Sequence, residues 1–499
     1  MNSPLALKRP SGSYSIPSSN RNTARYWYVI VGLVVGLLAA GGIAWLNANG
    51  QGIFILPLLL MVPCLVLFLR YPFVGVILWL AVYPFVVKTP GLTGSIGHWG
   101  FYRLLIPGML WVLIMLYWAR ERPRLAIRLT IADWAMVLFL VLSVGNCLLL
   151  SHDVVLGLTR LYDRIFVPFC LFWFVRLLSP SVQDFKRLLP LAFGLLVVEA
   201  VVGLMTWVDP SRLPPQWLGA VGERTVGTLG NPAVYSSTLV FLGLLLFQYA
   251  MQTKSIWLQG LFVFALALAF FCVFFTFSRG SWLGGALVWV GLMFVYPKPL
   301  FRLMMVGLVV MALLSTSVLA AAFAFANERL VTEHTAESRI ITDAASLRMI
   351  NAKPLFGWGY GNYDLYNTDF KEDVGDISSA GNVNTSHNTY LTIAAEQGIP
   401  ALLLYLFPTA WWFVQSLMAS QRLPQDGFYG RKLLILLWFV LLMSFTVSNF
   451  MDMIRFNLFG TAIWWLTLAL IANLVAPFER VEPRSMSLAQ NLAPKKATE

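Results

Sequence analysis

Charge is the first thing this chain lacks. Only 12% of its 499 residues are Asp, Glu, Lys or Arg, about half of what a soluble globular protein carries. With a mean hydropathy of +0.72, that scarcity excludes an ordinary solvated domain. Cysteine is scarce too: Cys64, Cys147, Cys170 and Cys272 all fall inside apolar runs, and no CxxC pair exists. They read as small packing residues, not as disulfides or metal ligands. No DxD, HExxH or P-loop motif is present, so no metal or nucleotide cofactor is expected from the sequence. Apolar and polar residues do not alternate over segments of about ten, which excludes a membrane β-barrel.

What is there is long apolar runs. Stretches such as LAFGLLVVEAVVGLMTWV (191–208) approach the roughly 20 residues that cross a bilayer as a helix. They place spans at 26–46, 53–69, 72–87, 101–119, 132–150, 165–178, 188–208, 233–251, 256–276, 281–296, 301–322, 399–419, 431–447 and 456–476. The expected fold is all-α: a polytopic transmembrane helical bundle of about 12–14 spans, with one long outer loop containing an amphipathic helix. The domains expected are a cytoplasmic polar tail (1–25), transmembrane helices (26–322), the loop (323–386), a loop-helix with the last spans (387–476), and a cytoplasmic tail (477–499). The first apolar run has no small-residue cleavage site and reads as an uncleaved anchor.

The net charge of +12 would suggest nucleic acid in a soluble protein. Here it fits basic residues gathered on the cytoplasmic side of membrane helices, so no nucleic-acid partner is expected. With the N-terminus inside, most of the 35 Lys and Arg, including the ARERPRLAIR cluster (119–128), fall in inner segments. The same register puts His98, His152, His334 and His387 outside, along with the polar segment 323–386. In that segment Ile340, Ile341, Ala344, Leu347 and Ile350 recur near helical spacing, as on an amphipathic helix that lies on the membrane or caps the bundle. KPLFGWGYGNY (353–363) reads as a Gly-rich turn, and EDVGD (372–376) as solvated loop. No internal repeat is visible, so the repeat logic of many transporters finds no support.

Three outer stretches concentrate polar chemistry: GERTVGTLGNPAVYSS (222–237) with Arg224, FTFSRGSWLGGAL (275–287) with Arg279, and SHNTYLTIAAEQGIPALLLYL (386–406) with His387. Each has a plain alternative. Arg224 can be a solvated loop arginine, and Arg279 can snorkel to headgroups. His387 can sit beside a helix N-cap supplied by Ser386 or Asn388. Gly280, Gly284 and Gly285 have a packing reading, because small residues let helices approach closely. Glu199, deep in a span, is a functional hypothesis by default, or else a paired carboxyl that fixes packing. Taken together, two arginines can clamp a diphosphate, and a histidine beside them can take a proton from a hydroxyl.

The ordered landmarks resemble the O-antigen ligase and O-antigen polymerase superfamily of bacterial membrane glycosyltransferases. They are Arg224 before Gly230–Asn231–Pro232, TFSRGSWLGG (276–285), Arg339 in a loop helix leading to PLFGWGYGNY (354–363), and SHNTYLTIAAEQGIPALLL (386–404). The resemblance covers about residues 190–476. It implies transfer of a glycan from an undecaprenyl-diphosphate carrier to an acceptor at the periplasmic face of the bacterial inner membrane, without metal or cofactor. It implies catalytic roles for His387, Arg279 and Arg224, and substrate contacts for Arg339, Glu396, Asn388 and Asn231; Arg348 is a weaker candidate. The acceptor is lipid A–core for a ligase, the default reading. It is a second lipid-linked unit for a polymerase, or a protein side chain in a third branch. A lipid-linked glycan transporter is the reading from another class; it would tolerate loss of His387 better than an enzyme.

Overall fold

In the computed structural model the described residues are 71–87, 103–118, 125–126, 129–218, 224–313, 320, 324, 326–327, 334–379, 385–456, 458–477 and 479–480. The chain divides into two units, Met1–Tyr71 with Ala119–Arg122, and Pro72–Trp118 with Pro123–Glu499. Of the first only Tyr71 is described, and the account below concerns the second. The expected spans at 26–46 and 53–69, His98, Cys64 and the polar tail 1–25 lie outside the described residues, as does 481–499 of the C-terminal tail.

The helices run in order α1 (Pro72–Val87), α2 (Leu105–Trp118) and, after strand β1 (Leu125–Ala126), α3 (Ile131–Leu150). Then α4 (Val154–Leu161) passes through a π turn (Tyr162–Phe166) into α5 (Val167–Leu178) and α6 (Val182–Val208). They continue as α7 (Pro232–Ala250), α8 (Ile256–Phe274), α9 (Arg279–Val295) and α10 (Pro297–Leu313). The long loop holds α11 (His334–Ala352) and the short α12 (Tyr363–Tyr366). After it come α13 (Thr389–Gln397), α14 (Ile399–Ser420), α15 (Arg431–Ser448), the single turn α16 (Met453–Phe456), α17 (Leu458–Val475) and strand β2 (Glu479–Arg480). The two strands pair antiparallel, Leu125 opposite Arg480, as the one sheet among the described residues.

Helices α3, α6, α7, α8, α14, α15 and α17 are long and apolar enough to cross a membrane, and α2 and α9 are shorter apolar helices. The protein is therefore an all-α, multi-pass membrane protein. Burial sorts the helices into layers. The apolar windows of α7 and α17 are 89% buried, against 33% in α8 and 28% in α14. The first two form the centre, and the others turn apolar side chains outward to lipid. Trp465 on α17 meets Phe169 and Phe172 of α5 and Tyr405 of α14 edge-on there.

Small residues set the closest helix approach, as expected. A Cβ on Gly284 would lie 2.6 Å from Met443 Sδ, and one on Gly291 2.5 Å from the Phe439 ring, so α9 beds onto α15 along a glycine seam. Gly285 faces α8 instead, toward Val273. Side-chain caps decide where several helices start. Ser181 and Asp184 close a capping box, so α6 begins at Val182. A hydropathy count starts at 188 because the box and Lys186–Arg187 make the first turns polar.

The loop helix corrects one detail of the sequence reading. On α11 the buried residues are Ile341, Thr342, Ala345, Ser346, Met349 and Ile350, whereas Ile340 and Leu347 are exposed. Two polar side chains belong to the inner face: Ser346 reaches the Tyr363 hydroxyl, and Thr342 turns its own hydroxyl back to the Ser338 and Arg339 carbonyls. The Tyr363 hydroxyl donates to the Thr342 carbonyl at 3.2 Å and lies 2.6 Å from Ser346 Oγ. A hydrophobic stripe cannot register a core face on which a third of the buried residues carry hydroxyls.

The bundle has two distinguishable ends. At one, Gln248 Nε2 donates to the Phe428 carbonyl at 3.2 Å, Tyr296 donates to Gln248 Oε1 at 2.8 Å, and the Tyr429 hydroxyl donates to the Pro180 carbonyl. At the other, the long loop is sewn to the helices. Ser151 Oγ donates to the Tyr360 carbonyl at 2.5 Å, His152 N–H to Asn362 Oδ1 at 3.0 Å, and Asn362 Nδ2 to the Leu150 carbonyl at 2.9 Å.

Candidate active site

The residues singled out from sequence gather at the loop-bearing end. Arg279 is the first residue of α9, after Ser278 at the N-cap position. Its neighbour Gly280 has no room for a side chain: a Cβ would lie 2.8 Å from Phe450. The Arg339 guanidinium of α11 stands over that same Phe450 ring, 5.6 Å from its centroid. Phe450 thus brings the starts of two arginine-bearing segments together. Arg279 lies close enough to Arg339 to disfavour its charge, second to the effect of burial, while Asp343 opposes both. Burial raises the Asp343 carboxyl to about 6, with Arg339 pulling the other way.

His387 completes the group. It is half-buried, and burial first, then Arg339, lowers its pKa from the ordinary 6.5. At neutral pH the ring is therefore neutral and able to accept a proton. Thr389 fixes its place. The hydroxyl donates to the Met451 carbonyl at 3.0 Å and accepts the Met453 N–H at 2.9 Å. The turn between α15 and α16 thus holds both Phe450 and the start of α13. Sequence reasoning missed this turn, and its only signal is the polar break SNFMD between two spans.

Arg224 enters from a separate segment. Its carbonyl accepts from Thr206 Oγ1 at 3.0 Å. The next residue, Thr225, donates its N–H to the Phe275 carbonyl and its hydroxyl to the Cys272 carbonyl, both at 3.1 Å. Arg224 is thereby pinned to the end of α8, four residues before Arg279. The following turn rests on Glu199 of α6. That buried carboxylate accepts the Thr228 N–H at 3.0 Å and its hydroxyl at 2.5 Å. Gly227 has φ +55°, and a Cβ there would meet Glu199 Oε2 at 2.2 Å. The membrane-embedded glutamate is thus a mooring for the arginine's loop, closer to the packing reading than to chemistry of its own.

Asn231 and Asn388 share one structural job. Each is an N-cap whose Oδ1 accepts two backbone N–H groups, Ala233 and Val234 for Asn231, Tyr390 and Leu391 for Asn388. Capping contributes about 1 kcal/mol and aims each helix start. Glu396 lies nine residues past His387, about 10 Å along α13 from its start at Thr389, at the far end of the helix. Its carboxylate accepts the Tyr363 N–H at 3.0 Å and also bonds the Gly361 N–H. Burial nevertheless raises it to about 7. Beside it a cavity of about 20 Å³, lined by Arg164, Tyr360, Thr392 and Asp452 among others, has room for about one water.

The remaining candidates have structural partners. Arg348 donates to the Phe370 carbonyl at 2.9 Å and pairs with Glu372 at 3.1 Å. Asp373 closes a loop by accepting the Ser379 N–H and hydroxyl, in keeping with a solvated EDVGD segment. Cys147, Cys170 and Cys272 are buried free thiols. Among the described residues no three of His, Cys, Asp and Glu stand together as a metal-ligand set.

Residues 264–406, under a third of the chain, match the family model described as O-antigen ligase. The matched segment contains Arg279, Arg339, His387, Asn388 and Glu396, whereas Arg224 and Asn231 precede it. No curated protein matches the chain.

Proposed function

We propose, from this similarity to the O-antigen ligase family model, that the protein moves a glycan from an undecaprenyl-diphosphate carrier to an acceptor hydroxyl, with lipid A–core as the acceptor. The observation that carries the reading is the meeting of Arg279, Arg339 and a histidine of lowered pKa, delivered by three segments far apart in sequence. Placing like charges together costs free energy, and such arrangements cluster at functional sites.

In this reading the carrier's lipid tail stays in the bilayer and its diphosphate rests on Arg224 and Arg279, whose guanidinium forks match phosphate oxygens. His387 accepts the proton of the acceptor hydroxyl as the oxygen attacks the anomeric carbon. The bond from that carbon to the diphosphate oxygen breaks, and the leaving diphosphate keeps the electron pair. Burial, helped by Arg339, keeps His387 neutral between turnovers, and Arg339 adds positive charge where the leaving group becomes more negative. Asn231 and Asn388 aim their helix starts, and Glu396 holds the Gly-rich turn. The reaction needs no metal, because arginines carry the diphosphate charge. The site faces the periplasm from the inner membrane, the side opposite the Lys- and Arg-rich segments.

The test is transfer by purified protein in nanodiscs from an undecaprenyl-diphosphate-linked glycan, with EDTA present. Lipid A–core, a second lipid-linked unit and a serine-containing protein are offered in parallel. Transfer to lipid A–core that His387→Ala abolishes is the expected result. Transfer to the second lipid-linked unit alone would make the protein a polymerase. Carrier binding without transfer to any acceptor would point to transport.

A further inference from the structure

The long loop joins the bundle at a depth where headgroups should give way to acyl chains. Pro354–Gly359 runs along the backbone of Ala395–Ile399. Trp358 N–H donates to the Ala395 carbonyl at 3.0 Å, Gly359 N–H to the Glu396 carbonyl at 2.8 Å, and Ile399 N–H to the Pro354 carbonyl at 2.8 Å. Two glycines permit this approach. A Cβ on Gly357 would lie 2.4 Å from the Glu396 carbonyl carbon, and one on Gly398 2.2 Å from the Leu355 carbonyl oxygen. The Phe356 carbonyl also accepts from Asn146 Nδ2 at 2.6 Å.

Those partners fix the depth. Helix α3 has 20 residues, about 30 Å, which a hydrocarbon core of about 30 Å uses almost whole. Asn146 lies four residues, about 6 Å, inside its end at Leu150. Ile399 is the first residue of α14, another membrane-length helix. The Pro354 and Phe356 carbonyls and the Gly357 N–H have protein partners, which lowers the cost of bringing this turn into lipid. Yet the Leu355 and Phe356 side chains are 62% and 63% exposed. On the helices that hold the turn, Leu149 on α3 and Leu403 on α14 are open as well, at 83% and 62%. Lys353, just before them, holds its ammonium 3.8 Å from the Trp358 ring centroid, the kind of pair found at the headgroup level.

We propose that Leu355 and Phe356 form a wedge inserted among the acyl chains of the bilayer, continuous with the lipid-facing surfaces of α3 and α14. The wedge sets the depth of the Gly-rich turn and, through Gly398 and Glu396, of α13. Loop and bilayer are thereby in direct contact beside the site, independently of which glycan is moved.

The test places a nitroxide label at Leu355→Cys and Phe356→Cys, one at a time, in the full chain in liposomes. The wild-type protein serves as labelling background. Leu403→Cys is the lipid reference and Asp376→Cys the aqueous reference. Labels at 355 and 356 should collide with oxygen more than with a water-soluble nickel chelate, as at 403. Accessibility to the chelate at either position, as at 376, overturns the proposal. A photoreactive phenylalanine analogue at 356 gives a second readout: crosslinks to phospholipid are expected, and their absence alongside crosslinks at 403 contradicts the wedge.

Discussion

The two ends of the bundle treat arginine in opposite ways. Away from the loop, Arg176 is fully buried, paired with Asp133 at 3.9 Å and stacked 4.6 Å from the Trp412 ring centroid. There a charge is brought inside beside an opposite charge and an aromatic face, and its work is to lock α3, α5 and α14. At the loop-bearing end Arg339 stands near Arg279 and His387, and a carboxylate acting on it, Asp343, is itself pushed to about 6 by burial. An arrangement that stability alone would not select points to a use, and in the proposed reaction the donor diphosphate brings negative charge to it. Buried arginine by itself is no sign of a site; the sign of its neighbours is.

The comparison breaks most sharply at His387. His387→Ala should lower the transfer rate by about 10²–10⁴-fold, the usual worth of a general base, with thermal unfolding in detergent unchanged. Asp133→Asn should do the reverse. Leaving Arg176 buried without its carboxylate should cost about 3–5 kcal/mol of stability, while the transfer rate per folded molecule stays at the wild-type value. If Asp133→Asn slowed transfer in proportion to the loss of His387, the two ends would not be separable.

Glu396 sharpens the contrast between chemistry and support. Glu396→Ala removes the acceptor for the Gly361 and Tyr363 N–H groups, at about 1–3 kcal/mol for each buried donor left open. The turn at 354–363 should then be cut faster by protease. Glu396→Gln keeps an acceptor oxygen and should retain most transfer; a loss as deep as that of His387→Ala would make Glu396 a reacting group. The smallest effect expected is on pH. A base whose pKa is lowered is deprotonated over a wider range, so transfer should rise with pH along a limb whose midpoint lies below 6.5. Arg339→Gln removes one cause of the lowering and should move that limb to higher pH; a limb that stays put would place Arg339 outside the electrostatics of His387.

Much of this was legible in the sequence, for physical reasons. A bilayer demands long apolar helices, so α3, α6, α7, α8, α14, α15 and α17 announce themselves. The glycines of α9 were readable as packing because lipid offers no hydrophobic drive to hold helices together. Arg279, Arg339 and His387 could be named one by one, but not their meeting: that depends on Phe450 and Thr389, which look like any aromatic and any hydroxyl. The roles of Glu199 and Glu396 were hidden because each is spent on backbone N–H groups of a distant loop, a contact with no spacing rule. The inner face of α11 was misplaced by Thr342 and Ser346, buried hydroxyls satisfied within the helix or by Tyr363.

The account stands most directly on one paired measurement: transfer rate and thermal unfolding for His387→Ala and Asp133→Asn in the same nanodisc preparation. It predicts a folded but inactive His387→Ala and a destabilised but catalytically intact Asp133→Asn. Transfer that survives His387→Ala would contradict the central claim.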